Sequence, residues 1–360
     1  MSSAETDPER PALRDIVPAA TLAAGLAPAP AAAATAEAAT AFYRGVNVSG
    51  AEFGKPPGRV NHDYVYPNDA NIDYYRERGF NLLRIPFLWE RVQHDPMGPL
   101  DLHGDGSGDM DQLDALVTRI TSRRMVCVLD VHNYGYRQVN GVKTRIGSDA
   151  LPAEAFNDLW VKLADRYKGN ALVWFGLMNE PYDFPAAQWA ALAQGCTYAI
   201  RARGARNLIL VPGTKWSGAH SWNSSGNAEA FDGFKDLANN FAFEAHQYLD
   251  GDSSGTKGTC TPGAGSTRLL SFTAWLKAKP GRRGFLGEFG VGDPNLLGQE
   301  QCAIELPAML EVISKNKSVW LGWAAWGGGR WWWGGYPLRL EPRDKGGQDT
   351  AYMKMLMSAK

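Results

Sequence analysis

From residue 42 onward the chain alternates between short apolar runs and longer stretches with helical periodicity. The apolar runs are Tyr43–Val48, Leu82–Phe87, Val126–His132, Val173–Asn179, Leu208–Val211, Phe241–Gln247, Gly284–Glu288 and Val319–Trp326. Several lack polar alternation, as strands covered on both faces do. Between them, helical spacing marks Ala70–Arg78, Met110–Arg123, Ala153–Tyr167, Ala186–Arg203, Leu269–Lys279 and Ala303–Lys315. A weaker, shorter helix is expected over Ala228–Leu237 and a closing helix over Gln348–Ser358. Gly79, Gly169 and Gly204 stand at helix C-cap positions. Strands alternating with helices in this way predict an α/β fold, a single (β/α)8 TIM barrel. An open doubly wound sheet would place a glycine-rich phosphate loop after an early strand, and none follows Tyr43–Val48 or Leu82–Phe87. No repeat or linker interrupts the chain after Phe42, so residues 41–360 are expected to form one domain.

The polar residues collect where these runs end. The second run holds Arg84, and the third ends in Asp130-Val131-His132. The fourth ends in Asn179-Glu180-Pro181 and the sixth in His246-Gln247-Tyr248. The seventh ends in Glu288, and the eighth holds Trp323 and Trp326. A barrel gathers the C-terminal ends of its strands on one face, so these residues are expected to meet. Taken singly, each has a structural explanation: a buried ion pair for Arg84, a satisfied ring for His132 or His246, a solvated rim position for either glutamate. Unrelated rim residues would not fall at corresponding ends of so many strands.

Two carboxylates at one barrel mouth meet the needs of glycosidic-bond hydrolysis. One, protonated, donates to the leaving oxygen; the other, ionised, attacks the anomeric carbon. Their proton affinities must be pushed apart. Arg84 is suited to hold the nucleophile ionised and Tyr248 to hydrogen-bond it. Asn179 is suited to meet the sugar 2-hydroxyl, and His132 and His246 to orient sugar and carboxylates. A metal-dependent hydrolase is the competing reading, with Asp130, His132 and His246 as ligands. The chain has only 6 His and no His-x-His pair in its first strand, so no metal and no cofactor are expected.

Composition narrows the partners. A formal net charge of -1 argues against nucleic acid or an anionic membrane, and no run is long and apolar enough to span a bilayer. The 13 Trp exceed what a core needs and suggest a binding surface. Residues 1–40 form an Ala/Pro-rich leader that is not counted as fold. Its small-residue stretch Ala31–Ala36 resembles a signal-cleavage zone, although Glu5, Asp7, Glu9 and Asp15 make its start acidic. A secreted or periplasmic protein is expected. Cys260 and Cys302 lie in or beside Gly/Pro/Thr-rich loops that a disulfide would staple, and their spacing fits no zinc pattern. Cys127 and Cys196 read as buried, inert thiols.

Together these residues resemble glycoside hydrolase family 5, the large cellulase family, over Tyr43 to about Pro342. Asn179-Glu180-Pro181 resembles the family's acid/base motif, and Gly287-Glu288-Phe289-Gly290 its nucleophile motif. Arg84, His132, Asn179, His246, Tyr248 and a strand-eight Trp match its remaining positions. The stretches Pro212–Trp222, with His220 and Trp222, His246–Asp250 and Leu321–Gly329 are similar to a branch containing fungal and bacterial endo-β-1,4-glucanases. By that likeness Trp326 stacks under the sugar at the cleavage point, with Trp323 as second candidate, and Cys260 and Cys302 are paired. The resemblance implies a retaining endo-β-1,4-glucanase whose catalytic domain acts on a β-linked glucan polysaccharide or oligosaccharide, with Glu180 as acid/base and Glu288 as nucleophile. A monomer is expected. A mannanase or xyloglucanase of the same build, or an inactive carbohydrate-binding barrel, are the alternatives. Arg330-Trp331-Trp332-Trp333 interrupts the glycine-rich stretch Gly327–Gly335 and departs from the family pattern. It reads equally as an extension of the glucan platform or as a self-packed loop.

Overall fold

The structure, a computed structural model, describes residues 42–332, 335–342 and 346–359. The leader 1–40 and Trp333 lie outside the described residues. Eight parallel strands close into a barrel: β1 (Tyr43–Val48), β2 (Leu82–Phe87), β3 (Val126–Val131), β6 (Val173–Gly176), β7 (Ile209–Pro212), β8 (Phe241–His246), β9 (Gly284–Glu288) and β10 (Trp320–Gly328). They follow one another around the ring in chain order, and β10 pairs with β1 to close it. The missing numbers, β4 (Tyr136–Val139) and β5 (Val142–Arg145), form an antiparallel hairpin after β3.

Helices cover the outside. The principal ones are α1 (Asp69–Glu77), α3 (Asp109–Ser122), α4 (Ala153–Tyr167), α5 (Ala186–Ala202), α8 (Leu270–Lys277), α9 (Cys302–Ser314) and α10 (Ala351–Ser358). The short helices α2 (Trp89–Val92), α6 (Asn227–Ala230) and α7 (Ala264–Thr267) fill the rest. Asn68 caps α1 through a reciprocal capping box with Asn71. Gly79 and Gly204 take left-handed φ values of 81° and 76° just after their helices, as expected of C-caps.

Several expectations shift. The helix expected over Ala228–Leu237 shrinks to α6, and β6 ends at Gly176 rather than Asn179. Beyond Gly176 the chain stays tied to both neighbours: Leu177 N donates to Leu210 O and Asn179 N to Val131 O. The hairpin was not foreseen, although Asn140-Gly141 between two valines carries its turn; both residues have positive φ, 51° and 77°.

The barrel interior is built in two layers because side chains alternate along a strand. The lower layer is apolar, with Leu82, Val126, Val128, Trp174, Leu210 and Phe285 among its members. Two residues further along the same strand faces the chemistry inverts. Arg84 follows Leu82, Asp130 follows Val128 and Glu244 follows Ala242, each 0% exposed. Opposite them, glycine makes room: a Cβ on Gly287 would sit 2.1 Å from Glu244 Oε1. This charged layer is the floor of the barrel mouth.

Cys260 and Cys302 form a disulfide across 42 residues of sequence, with Cα atoms 5.1 Å apart. It ties the loop after β8 to the start of α9. Closing a loop of that length removes unfolded-chain entropy equivalent to about 4 kcal/mol. Reduction should therefore lower the urea midpoint, and the Cys260→Ser, Cys302→Ser double variant should match reduced protein. Identical midpoints with and without reductant would show that the bridge contributes nothing.

Candidate active site

Arg84 is the hub of the site. Its guanidinium lies 2.9 Å from Asp130 Oδ2, 3.0 Å from Glu244 Oε1 and 3.0 Å from Glu288 Oε1. It also donates to Asn47 Oδ1 at 2.8 Å and Asn179 Oδ1 at 3.0 Å. Burial alone would weaken its hold on its proton, but these carboxylates more than restore it, so the group stays cationic. Arginine only donates, so the Asn179 amide must turn its oxygen toward Arg84. Its Nδ2 then faces His132 Nε2 at 3.2 Å, while His132 Nδ1 faces Asp130 Oδ2 at 2.7 Å. Burial lowers the proton affinity of His132 and Asp130 raises it again. The net shift is upward from the ordinary imidazole value, with Nε2 set against the Asn179 amide.

The two glutamates approach each other over this floor. A register shift between β8 and β9 after Ala245 sets His246 directly beside Glu288. Glu288, 4% exposed, accepts from Arg84 on Oε1 and from Tyr248 Oη on Oε2, each at 3.0 Å. Burial and Glu288 hold the Tyr248 phenol well above its ordinary range, so it stays a donor. Glu180 reaches the site from a left-handed backbone, φ 43°, which a glutamate adopts only under constraint. Its Oε1 lies 2.7 Å from His246 Nδ1, and the same nitrogen is 3.6 Å from Glu288 Oε2. Glu180, His246 and Glu288 each offer a polar atom, and the three atoms lie within 4.8 Å of one another.

The charges differ around the pair. Burial would lower the pKa of His246, but Glu288, Glu180 and Glu244 push it up to about 10, so the ring is an imidazolium at neutral pH. Burial raises the Glu288 carboxyl above the usual carboxylate range, and His246 and Arg84 pull against that rise. With a guanidinium on Glu288 and an imidazolium between the glutamates, the group is already supplied with positive charge. A divalent cation there would face both at contact distance.

Two cavities flank the carboxylates over opposite halves of the strand ring. One, of about 390 Å³, is lined by Glu52, Phe53, His132, Tyr134, Trp326 and Trp332. The other, of about 760 Å³, is lined by Glu180, Trp216, His220, His246 and Tyr248 together with a serine-rich rim. Trp326 faces His132 at 5.6 Å between ring centroids, nearly parallel, and donates through Nε1 to Tyr336 Oη at 2.9 Å. Trp332 stacks on Tyr336 at 3.8 Å and meets Trp326 and Phe53 edge-on. Trp332 is thus both packed and part of a cavity wall. His220 sits in the second cavity with Nδ1 3.1 Å from Gln247 Oε1.

Two expected members do not reach the site. Trp323 is 1% exposed and lies on the outer face of β10, edge-on to Phe80 and Phe289. Trp222 is fully buried among Phe231, Phe243, Phe272 and Trp275. Both are core residues of the layer between barrel and helices. Conversely, three neighbours of the site were not anticipated. Glu244 is a carboxylate inside an otherwise apolar run, a signal the sequence did carry. Trp216 is 52% exposed and stacks on Tyr182 at 5.3 Å; Lys215, Trp216 and Ser217 all have positive φ, which turns the ring outward. Glu52 lines the smaller cavity, and one of its carboxylate oxygens accepts from Gly50 N.

Paired acids set over a charged floor in a closed α/β barrel define a class, the barrel glycoside hydrolases. Within it, the chain belongs to the cellulase family, glycosyl hydrolase family 5, whose model matches residues 41–329. Among its relatives is endo-beta-1,4-glucanase B of Aspergillus niger, 36% identical over 320 residues, 87% of either chain. A solved endo-beta-1,4-glucanase from Xanthomonas axonopodis pv. citri superposes with a TM-score of 0.79 at 43% identity, covering 88% of this chain and 97% of that one. A Pseudomonas stutzeri endoglucanase, solved with cellobiose, superposes with a TM-score of 0.76 at 33% identity, covering 88% and 92%.

Proposed function

We propose that this protein is a retaining endo-β-1,4-glucanase that hydrolyses internal bonds of cellulose-like glucans, with Glu180 as acid/base and Glu288 as nucleophile. The observation that carries the reading is the closeness of the two carboxylates, with polar atoms of Glu180, His246 and Glu288 all within 4.8 Å. Retaining glycosidases hold their carboxyl groups about 5–5.5 Å apart, whereas inverting ones need about 6.5–9.5 Å to admit a water. The relatives named endo-beta-1,4-glucanase support the substrate class.

In the first step Glu180 donates its proton to the glycosidic oxygen while a Glu288 oxygen attacks the anomeric carbon. The C–O bond to the leaving chain breaks, and a glycosyl ester forms on Glu288. In the second step Glu180, now a carboxylate, takes a proton from water; the water oxygen attacks the anomeric carbon and Glu288 leaves as a carboxylate. Arg84 and Tyr248 hold Glu288 in place and disperse its charge, and Asn179 meets the 2-hydroxyl. Trp326 provides the face on which the reacting sugar stacks, and His220 joins the wall that receives the leaving chain. A cavity on each side of the acid pair suits a chain cut internally. The enzyme acts as a monomer on a glucan chain. Export agrees with the leader composition and with the Cys260–Cys302 bridge.

NMR of freshly cut cellopentaose, with excess chelator present, tests the mechanism. The new reducing ends should appear first as the β anomer; α anomer first would overturn retention. Carboxymethylcellulose and mixed-linkage β-glucan should be cut faster than mannan and xyloglucan. The opposite order would favour the other β-glycanases.

A further inference from the structure

The mechanism above gives no role to Glu244, a carboxylate of the charged floor. Glu244 is 0% exposed, on β8 two residues before His246. Its Oε1 lies 3.0 Å from Arg84 Nε and 3.6 Å from His246 Nε2. Arg84 already has Asp130 and Glu288 as carboxylate partners, so it does not need a third for its own neutralisation. Burying an extra acid costs several kcal/mol unless a cation answers it. Arg84 supplies one positive charge against three carboxylates. His132 is paired with Asp130 rather than with Glu244. His246 is the remaining buried base in contact with Glu244. Room for the acid is built in as well, since any side chain at Gly287 would occupy the position of Glu244 Oε1.

We propose that Glu244 is a positioning residue of the reaction: it keeps the His246 ring doubly protonated, so that Nε2 faces Glu244 below while Nδ1 donates to Glu180 above. A neutral His246 would be free to turn Nδ1 into an acceptor and lose its grip on Glu180. The carboxylates around this ring are Glu180 after β6, Glu288 on β9 and Glu244 on its own strand; Lys215 and His220 after β7 and Tyr248 on the strand's extension line the same cavity, and Arg84 from β2 pairs with Glu244 and Glu288. Glu244 lies 3.6 Å from His246 Nε2 and lines neither cavity beside the carboxylates. The inference rests on the acid/base and nucleophile assignment made above, but its primary readout does not.

The test is an NMR titration of the histidine rings in the full chain, native and Glu244→Gln. There are 6 His in the whole protein, so His246 is assignable by comparison with His246→Asn. In native protein the His246 ring should stay doubly protonated through neutral pH. In Glu244→Gln it should titrate at least about one pH unit lower, the size of effect a contacting opposite charge exerts. An unchanged His246 titration in a folded Glu244→Gln variant would overturn the proposal, whatever the enzyme's substrate proves to be. The activity profile gives a second reading. Losing the His246 cation should move both limbs of the kcat/KM–pH curve to higher pH. A move to lower pH would mean that Glu244 acts on the glutamates only as a repelling charge, and no move that it acts only in folding; either overturns the proposal. Should Glu244→Gln not fold, Glu244→Asp, which retracts the charge by one methylene, should show a smaller downward shift in the same titration, and no shift there would count equally against it.

Discussion

Replacing Glu288 with glutamine should abolish turnover of glucan, by on the order of 10⁴-fold or more in kcat, while the thermal midpoint stays close to that of the native enzyme. The amide keeps the shape of the carboxylate, and its oxygen still accepts from Arg84 while its NH2 can donate to Tyr248 Oη, but it cannot form the ester. Normal turnover in a pure Glu288→Gln preparation would sink the mechanism. The native enzyme should report the same residue through pH. Glu288 must be ionised to attack, and burial lifts its pKa above the usual carboxylate range. Activity should therefore be lost as pH falls through that raised value, so the acidic limb of kcat/KM should lie above the ordinary glutamate value of about 4.3. A limb well below that value would assign it to another group.

Glu180→Ala should separate the two halves of the reaction. Glucan carries an alkoxide leaving group that needs a proton, so cellulose-like substrates should lose about 10²–10⁴-fold in rate. A dinitrophenyl cellobioside leaves without protonation, so its first step should remain fast and an initial burst of phenol should appear. The glycosyl ester then accumulates, because no base is left to activate water. Azide, which needs no base, should restore steady turnover and yield the β-glycosyl azide. Equal losses on both substrates, with no azide rescue, would show that Glu180 serves binding rather than proton transfer.

The strand positions were legible because a strand buried on both faces leaves an uninterrupted apolar run. The polar residue at the end of each run marked where the barrel opens. Side-chain direction was harder to read. Trp323 and Trp326 are three residues apart on one strand, so only one of them can face inward. That parity alone would have favoured Trp326 once Ala324 was placed in the interior. Trp222 sits in a loop, where no periodicity tells core from rim, and its burial depends on aromatic partners from distant segments. Trp216 escaped notice because its exposure comes from three successive left-handed residues, a geometry with no glycine to announce it. Glu244 was visible as an acid in an apolar run, but only its neighbours give it a purpose.

The upper interior of the barrel has a consequence for anyone wishing to make this enzyme more robust. Arg84, Asp130 and Glu244 occupy space that a heat-adapted scaffold without catalysis would fill with Leu, Met or Val. Exchanging a buried ionic set for well-packed hydrocarbon is often neutral or favourable by about 1–4 kcal/mol, whereas deleting one member strands its partners. The most stable version of this barrel and the working version therefore differ at its centre. Gains in heat resistance that preserve turnover should be sought in the helices and outer loops, and a screen for stability alone would tend to select this floor away.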